Sequence, residues 1–337
     1  MKIKDLVIGV LKYAIGFGLL AYVIWKFWEP RGANPGIKGL LAQVPDFTML
    51  LIAAVCGVVA VGIQFYRWYL LVRALDLPFT LRNAFRLSMV GYFYNTFLPG
   101  SIGGDAVKSY FIIREQPDRK GAAFATVIVD RLLGLFGLLL FSSAVGGTCW
   151  FLGDTRILAN SYLQKIITVA GSLVVGGVVG WVVLGFLSTR VIESIGRFFE
   201  NSPLGSVFSG MWSAIAMYRL RPRVIYLAVP LSALAHTLMV VAFHCAVRVY
   251  PAQSPGELAE HFVIAPIGFI AQAFIPVPGG VGGAEAVFGY LYTLMDRPEA
   301  TGVIGRLTMR TIEWSLGLFG YLVFLRMKAE LPTKPKE

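Results

Sequence analysis

Charge is scarce in this sequence. Asp, Glu, Lys and Arg make up 15% of its 337 residues, against about 25% in a soluble domain. Acid is scarcer than base, 19 Asp and Glu against 30 Lys and Arg, for a net charge of +11. There are three histidines and three cysteines, and Cys56, Cys149 and Cys245 lie far apart in apolar runs. That count and spacing exclude a disulfide framework and a C-x-x-C metal or redox motif. No Gly-x-Ser-x-Gly, His-Glu-x-x-His or P-loop motif occurs, so the signatures of serine hydrolases, zinc peptidases and nucleotide hydrolases are missing. The glycine runs follow no strand, which excludes a dinucleotide fingerprint. His236 and His244 stand eight residues apart in one apolar run, a helix-packing spacing and not a metal-ligand one. No catalytic constellation, metal site or cofactor is expected.

What the chain has is hydrophobic residue, 56% of the total. That excludes a disordered chain and a soluble enzyme with one or two buried cores. Leu6–Trp28 and Leu50–Tyr66 are long enough to span a bilayer, since a spanning helix needs about 20 predominantly apolar residues. The first run lacks a small-residue cleavage site and continues into Lys26-Phe27-Trp28-Glu29-Pro30, so it reads as a retained helix. The basic excess suits residues flanking membrane helices. No basic stretch is interleaved with aromatics as nucleic acid would require.

Six segments read as full spans, at about 6–28, 47–70, 121–152, 163–187, 222–249 and 301–326. Two further apolar stretches, 84–113 and 259–293, are each broken near the middle by proline and glycine. Pro-Gly-Ser-Ile-Gly-Gly-Asp at 99–105 aligns with Pro-Gly-Gly-Val-Gly-Gly-Ala-Glu at 278–285, 179 residues later, and the same offset carries Arg131 onto Arg310. The expected organisation is therefore one membrane domain of two repeats, 1–152 and 163–326. Charge counting separates the topologies. If both broken stretches enter and return on one face, 20 basic residues lie on the N-terminal side and 8 on the other, with Arg131 and Arg310 in the membrane. If both cross, the count is 14 against 14 and the bias that sets orientation vanishes. The expected fold is thus an all-α integral membrane protein of six transmembrane helices plus two re-entrant broken-helix hairpins in an inverted repeat, with both termini cytoplasmic. The 188–222 loop is then cytoplasmic. Val191, Ile192, Ile195, Phe198 and Phe199 fall on one helical face opposite Arg190, Glu193, Arg197 and Glu200, as in an interfacial helix.

A backbone break in hydrocarbon survives only where protein or a wet cavity satisfies it. The half-helix after each break presents free N–H groups and a partial positive charge, and glycine lets a ligand approach the backbone. Pro99, Gly100, Ser101, Gly103 and Gly104 in the first break, with Pro278, Gly279, Gly280, Gly282 and Gly283 in the second, therefore form a candidate anion site; tight hairpin packing is the other reading. Asp105 and Glu285, in the first turn after each break, cap the dipole or titrate during transport. Arg131 and Arg310 are intramembrane guanidinium groups suited to phosphate, or to internal ion pairs with Asp105, Asp130, Glu285 or Glu313. Asn95 and Gln272, just before the breaks, are expected to satisfy freed backbone groups or to touch substrate.

Leu98–Asp105, Pro276–Glu285 and Asp130-Arg131 together resemble the flippase-like transmembrane domain of the lysylphosphatidylglycerol synthase family, over nearly the whole chain. The resemblance implies a stand-alone inner-membrane lipid translocation module. In bifunctional members the domain precedes more helices and a soluble aminoacyl-transferase domain; this chain stops at Glu337, so synthase activity is not expected. The expected ligand is an anionic membrane lipid or lipid-linked head group, moved between leaflets. A transporter of a small soluble anion, and a membrane partner of an envelope-biosynthesis enzyme, are the alternatives. A homo-oligomer is open.

Overall fold

The computed structural model describes residues 3–30, 32, 35–98, 103–200, 205–251 and 254–330. Among them there is no strand. Fourteen helices run in the order α1 (Ile3–Lys26), α2 (Gly36–Leu41), α3 (Phe47–Ala74), α4 (Leu81–Phe97), α5 (Gly103–Glu115), α6 (Lys120–Phe151), α7 (Thr155–Ala159), α8 (Ser161–Phe186), α9 (Thr189–Glu200), α10 (Gly205–Tyr218), α11 (Pro222–Val247), α12 (Leu258–Phe274), α13 (Gly283–Thr293) and α14 (Glu299–Glu330). Two single 3₁₀ turns, Pro117–Arg119 and Pro278–Gly280, interrupt them.

Helix starts follow local chemistry. Asp46 accepts from the Thr48 and Met49 amides at the head of α3, and Asn160 from those of Tyr162 and Leu163 at the head of α8. Each supplies a partner for amides that the helix itself leaves orphaned. Among the described residues five helical stretches are long and apolar enough to cross a membrane: Gly9–Lys26, Phe47–Ala74, Pro117–Phe151, Ser161–Phe186 and Pro222–Val247. The stretch expected as a sixth span, 301–326, lies within the 32-residue α14. It stays outside that set, since Arg306, Arg310 and Glu313 fall in it.

Helix lengths run twice through the chain. α1, α3, α4, α5 and α6 have 24, 28, 17, 13 and 32 residues; α8, α11, α12, α13 and α14 have 26, 26, 17, 11 and 32. The packing interleaves the two runs. α3 and α11 form the most extensive helix pair. α4 packs on α14, and α12 packs on α6, so each hairpin's first leg lies against the other run's long helix. The second legs, α5 and α13, stay with their own, α6 and α14. This exchange also sets α4 against the Pro278–Gly280 turn of the second break.

The 188–222 segment holds two helices where one was expected. α10 packs on α6, its Tyr218 hydroxyl donates to the Leu71 carbonyl, and the Trp212 indole donates to the Ile192 carbonyl of α9. Three basic residues counted above with the membrane flanks are instead buried in the helix bundle: Arg67, Lys108 and Arg306.

Candidate functional site

Both hairpins close on side chains from their own first legs. The Asn95 side-chain oxygen accepts from the Gly104 amide at 2.9 Å, holding α5 against α4. Gly104 permits this closure: a Cβ there would lie 2.0 Å from the Gly91 carbonyl oxygen. In the second hairpin the Gln272 amide donates to the Gly279 carbonyl at 3.3 Å. Gly279 has φ of 55° and Gly282 φ of 79°, left-handed conformations that glycine adopts without strain. The tips also meet each other, for a Cβ on Gly279 would lie 2.8 Å from the Thr96 carbonyl oxygen of α4.

At this junction lies a cavity of about 270 Å³. Asn95, Arg131, Gln272, Gly279, Gly280, Arg310 and Glu313 line it, so the end of α4, the second break and both arginines face one space. Arg131 and Arg310 each stand eleven residues after the first residue of their helix, Lys120 and Glu299. Each also holds the carboxylate that follows the matching break. The Arg131 Nε donates to Asp105, and the Arg310 Nε to Glu285. Arg310 Nη1 donates to the Gly279 carbonyl at 3.0 Å, and the second Glu285 oxygen accepts from the Gly282 amide at 2.7 Å. The last guanidinium nitrogen, Arg310 Nη2, is buried without a partner, as is the Gln272 side-chain oxygen. A buried donor of this kind is costly unless something binds it.

Of the other charged candidates, Asp130 accepts from Arg67 at 2.9 Å and from Lys108 at 3.4 Å. Lys108 Nζ sits 3.8 Å from the centre of the Trp68 ring, and Arg67 also donates to Ser232 at 2.5 Å. Asp130 is thus held by two cations behind the cavity. Glu313 lines the cavity but pairs with Arg306 at 2.7 Å and not with Arg310. Gly283 is buried at the start of α13 under the Ile275 side chain. Pro278 is buried in the 3₁₀ turn, and Gly103 opens α5. Pro99, Gly100 and Ser101 lie outside the described residues.

Three polar lining residues escaped the sequence reading, Gln64, Tyr92 and Thr96, and a fourth, His236, was read only as a packing residue. His236 Nε2 sits 2.9 Å from the Gly134 carbonyl oxygen. Their only signal was position, Tyr92 and Thr96 one helical turn apart just before the first break and Gln64 polar within an apolar helix. His244 and His261, 17 residues apart, meet at 2.7 Å between ring nitrogens. Among the described residues no group of three or more His, Cys, Asp or Glu could hold a metal ion.

The family described as the lysylphosphatidylglycerol synthase transmembrane region matches residues 10–320. The chain belongs to this family. A UPF0104 membrane protein of Methanocaldococcus jannaschii is 22% identical over 357 aligned positions, covering 99% of both chains. Another, of Methanothermobacter thermautotrophicus, is 23% identical over 328 positions, covering 93% of each. No solved structure matches the chain. Family and apolar helices together make this a multi-pass membrane protein.

Proposed function

We propose that this protein moves an anionic lipid, or a lipid-linked head group, between the leaflets of the cell's inner membrane. One observation carries the reading. Two arginines from the two runs of helices line one cavity with the end of α4 and the turn of the second break, and the deeper arginine keeps a buried N–H donor unused. Guanidinium binds phosphate through paired donors, and the ends of broken helices supply additional polarity. The cavity, about 270 Å³, is the size of a head group and leaves acyl chains to lie outside in the bilayer.

The topology that suits this function has six spans and two hairpins entering from opposite faces, with both termini cytoplasmic and 1–152 and 163–326 as inverted repeats. The doubled order of helix lengths supports it. So does charge: with Arg67, Lys108 and Arg306 set aside as buried, 18 basic residues remain on the proposed cytoplasmic side against 7 outside.

The test is translocation of fluorescent phosphatidylglycerol in proteoliposomes, read by quenching of the outer leaflet. Wild type should exceed empty vesicles, Arg131→Ala should lose about ten-fold or more in rate, as expected when a charged hydrogen bond to the ligand is removed, and a phosphatidylcholine probe should move more slowly. Equal rates with and without protein across a panel of anionic lipids would sink the reading. Uptake of free inorganic phosphate in the same vesicles would redirect it to a soluble anion.

A further inference from the structure

We propose that α1 is the gate over the second half of the site, latched to the first half by the Tyr13 hydroxyl. It takes from the translocation reading only that the cavity is where ligand binds.

α1 sits directly on the second break. A Cβ on Gly16 would lie 3.4 Å from Val277 Cβ and 3.6 Å from the Val281 carbonyl oxygen. At Gly282 the contact is backbone on backbone, since a Cβ there would lie 2.6 Å from the Leu20 amide nitrogen and 2.7 Å from the Gly16 carbonyl oxygen. Behind this seat lies the sealed pair, Glu285 and Arg310, whose side chains are 0% and 3% exposed. α8 holds the same place in the second run of helices, yet it packs on α6 and α7. There the matching arginine, Arg131, is 48% exposed. One half of the site is covered by a helix and the other is accessible.

The covering helix is lightly held. Val10, Ile15, Phe17, Tyr22 and Trp25 all point outward. Among the described residues its inward contacts are the glycine seat, Val23 with Leu19 and Ile24 in a small apolar cluster that includes Ile37, Leu40 and Val303, and a polar link. In that link the Tyr13 hydroxyl donates to the carbonyl of Phe97, the last residue of α4 before the first break. Tyr13 thereby ties the lid of one hairpin to the tip of the other. Lifting α1 breaks this bond and opens the turn from Val281 to Glu285 both to water in the cavity and to the lipid beside it. A head group on Arg131 could then pass to Arg310 while its acyl chains stayed in the bilayer.

Two measurements test this, both in a background with Cys56, Cys149 and Cys245 replaced by alanine. The Cβ separation at Gly16 and Val277 is near that of a disulfide, about 3.5–4.5 Å, so Gly16→Cys with Val277→Cys should cross-link on oxidation. Cross-linked protein should lose phosphatidylglycerol translocation and recover it on reduction. Failure to cross-link would show that α1 does not sit on the break, and unimpaired translocation by cross-linked protein would show that it need not move; either overturns the gate. The second measurement does not depend on transport. Val281→Cys, buried under α1, is labelled with a water-soluble maleimide, with and without Tyr13→Phe. Loss of the latch should speed labelling about five-fold, the effect of one ordinary hydrogen bond on the open population. An unchanged rate would overturn the latch. A labelling response in protein that moves no lipid would leave the gate standing and remove the translocation reading instead.

Discussion

In the first hairpin the carboxylate after the break, Asp105, meets an arginine side chain that is 48% exposed; in the second, Glu285 meets one that is 3% exposed. Residue types, order and spacing from the break are nearly the same, yet the two pairs do different physical work. An accessible ion pair is screened and contributes about 0–1 kcal/mol, so in the proposed translocation a ligand would displace Asp105 from Arg131 at little cost. A sealed pair has already lost its hydration, and each partner stays only because the other is there. Equal motifs do not make equal ion pairs: what covers the motif decides whether its arginine is accessible or sealed.

The sharpest way to break this comparison is to remove each carboxylate in turn. Glu285→Ala leaves Arg310 as an uncompensated buried charge and frees the Gly282 amide. It should cost about 3–5 kcal/mol, seen as a large fall in the thermal unfolding midpoint of purified protein. Asp105→Ala should cost about 0–1 kcal/mol while altering transport. Equal losses at the two positions would mean that exposure does not separate the pairs.

A second contrast lies within the first hairpin. A methyl group on Gly104 would overlap the Gly91 carbonyl oxygen at 2.0 Å and the Asn95 side chain at 2.5 Å, whereas on Gly103 it would meet nothing closer than 3.6 Å among the described residues. Gly104→Ala should therefore destabilise by about 1–3 kcal/mol through overpacking and force α4 from α5, and Gly103→Ala should be nearly neutral in the same unfolding assay. Similar effects would show that the legs are not in contact there.

Much of the framework was legible because breaks and apolar runs are strong signals. The run expected at 121–152 is the helix Lys120–Phe151, and that at 163–187 is Ser161–Phe186. Both Pro-Gly breaks fall between helices. Charge was the misleading signal. Arg67, Lys108 and Arg306 count as flanking residues if position in the chain alone is read. Helical spacing tells more: Ala60, Arg67 and Leu71 share one buried face of α3, and Gly104, Lys108 and Ile112 one buried face of α5. A lone cation on an apolar face marks an internal partner, here Asp130, whose own neighbour Arg131 points elsewhere. α10 was missed because its 14 residues are short, apolar and glycine-bearing, without the clear two-faced pattern of α9. The seat of α1 on the second break had no local signal, since it joins residues more than 260 positions apart.

The smallest contrast is also the finest probe of how each hairpin is closed. Asn95 and Gln272 occupy matching places before the two breaks, but they bond with opposite polarity. Asn95 accepts from the Gly104 amide, whereas Gln272 donates to the Gly279 carbonyl. Asn95→Ala strands a donor at the start of α5 and should cost about 1–2 kcal/mol. Gln272→Ala strands nothing, because Arg310 Nη1 still donates to the Gly279 carbonyl at 3.0 Å. It also removes a buried side-chain oxygen that has no partner, so the loss should stay under about 0.5 kcal/mol. If Gln272→Ala proved the more damaging in thermal unfolding, the sealed half-site would depend on its glutamine and not on Arg310, and the division of labour between the two hairpins would have to be redrawn.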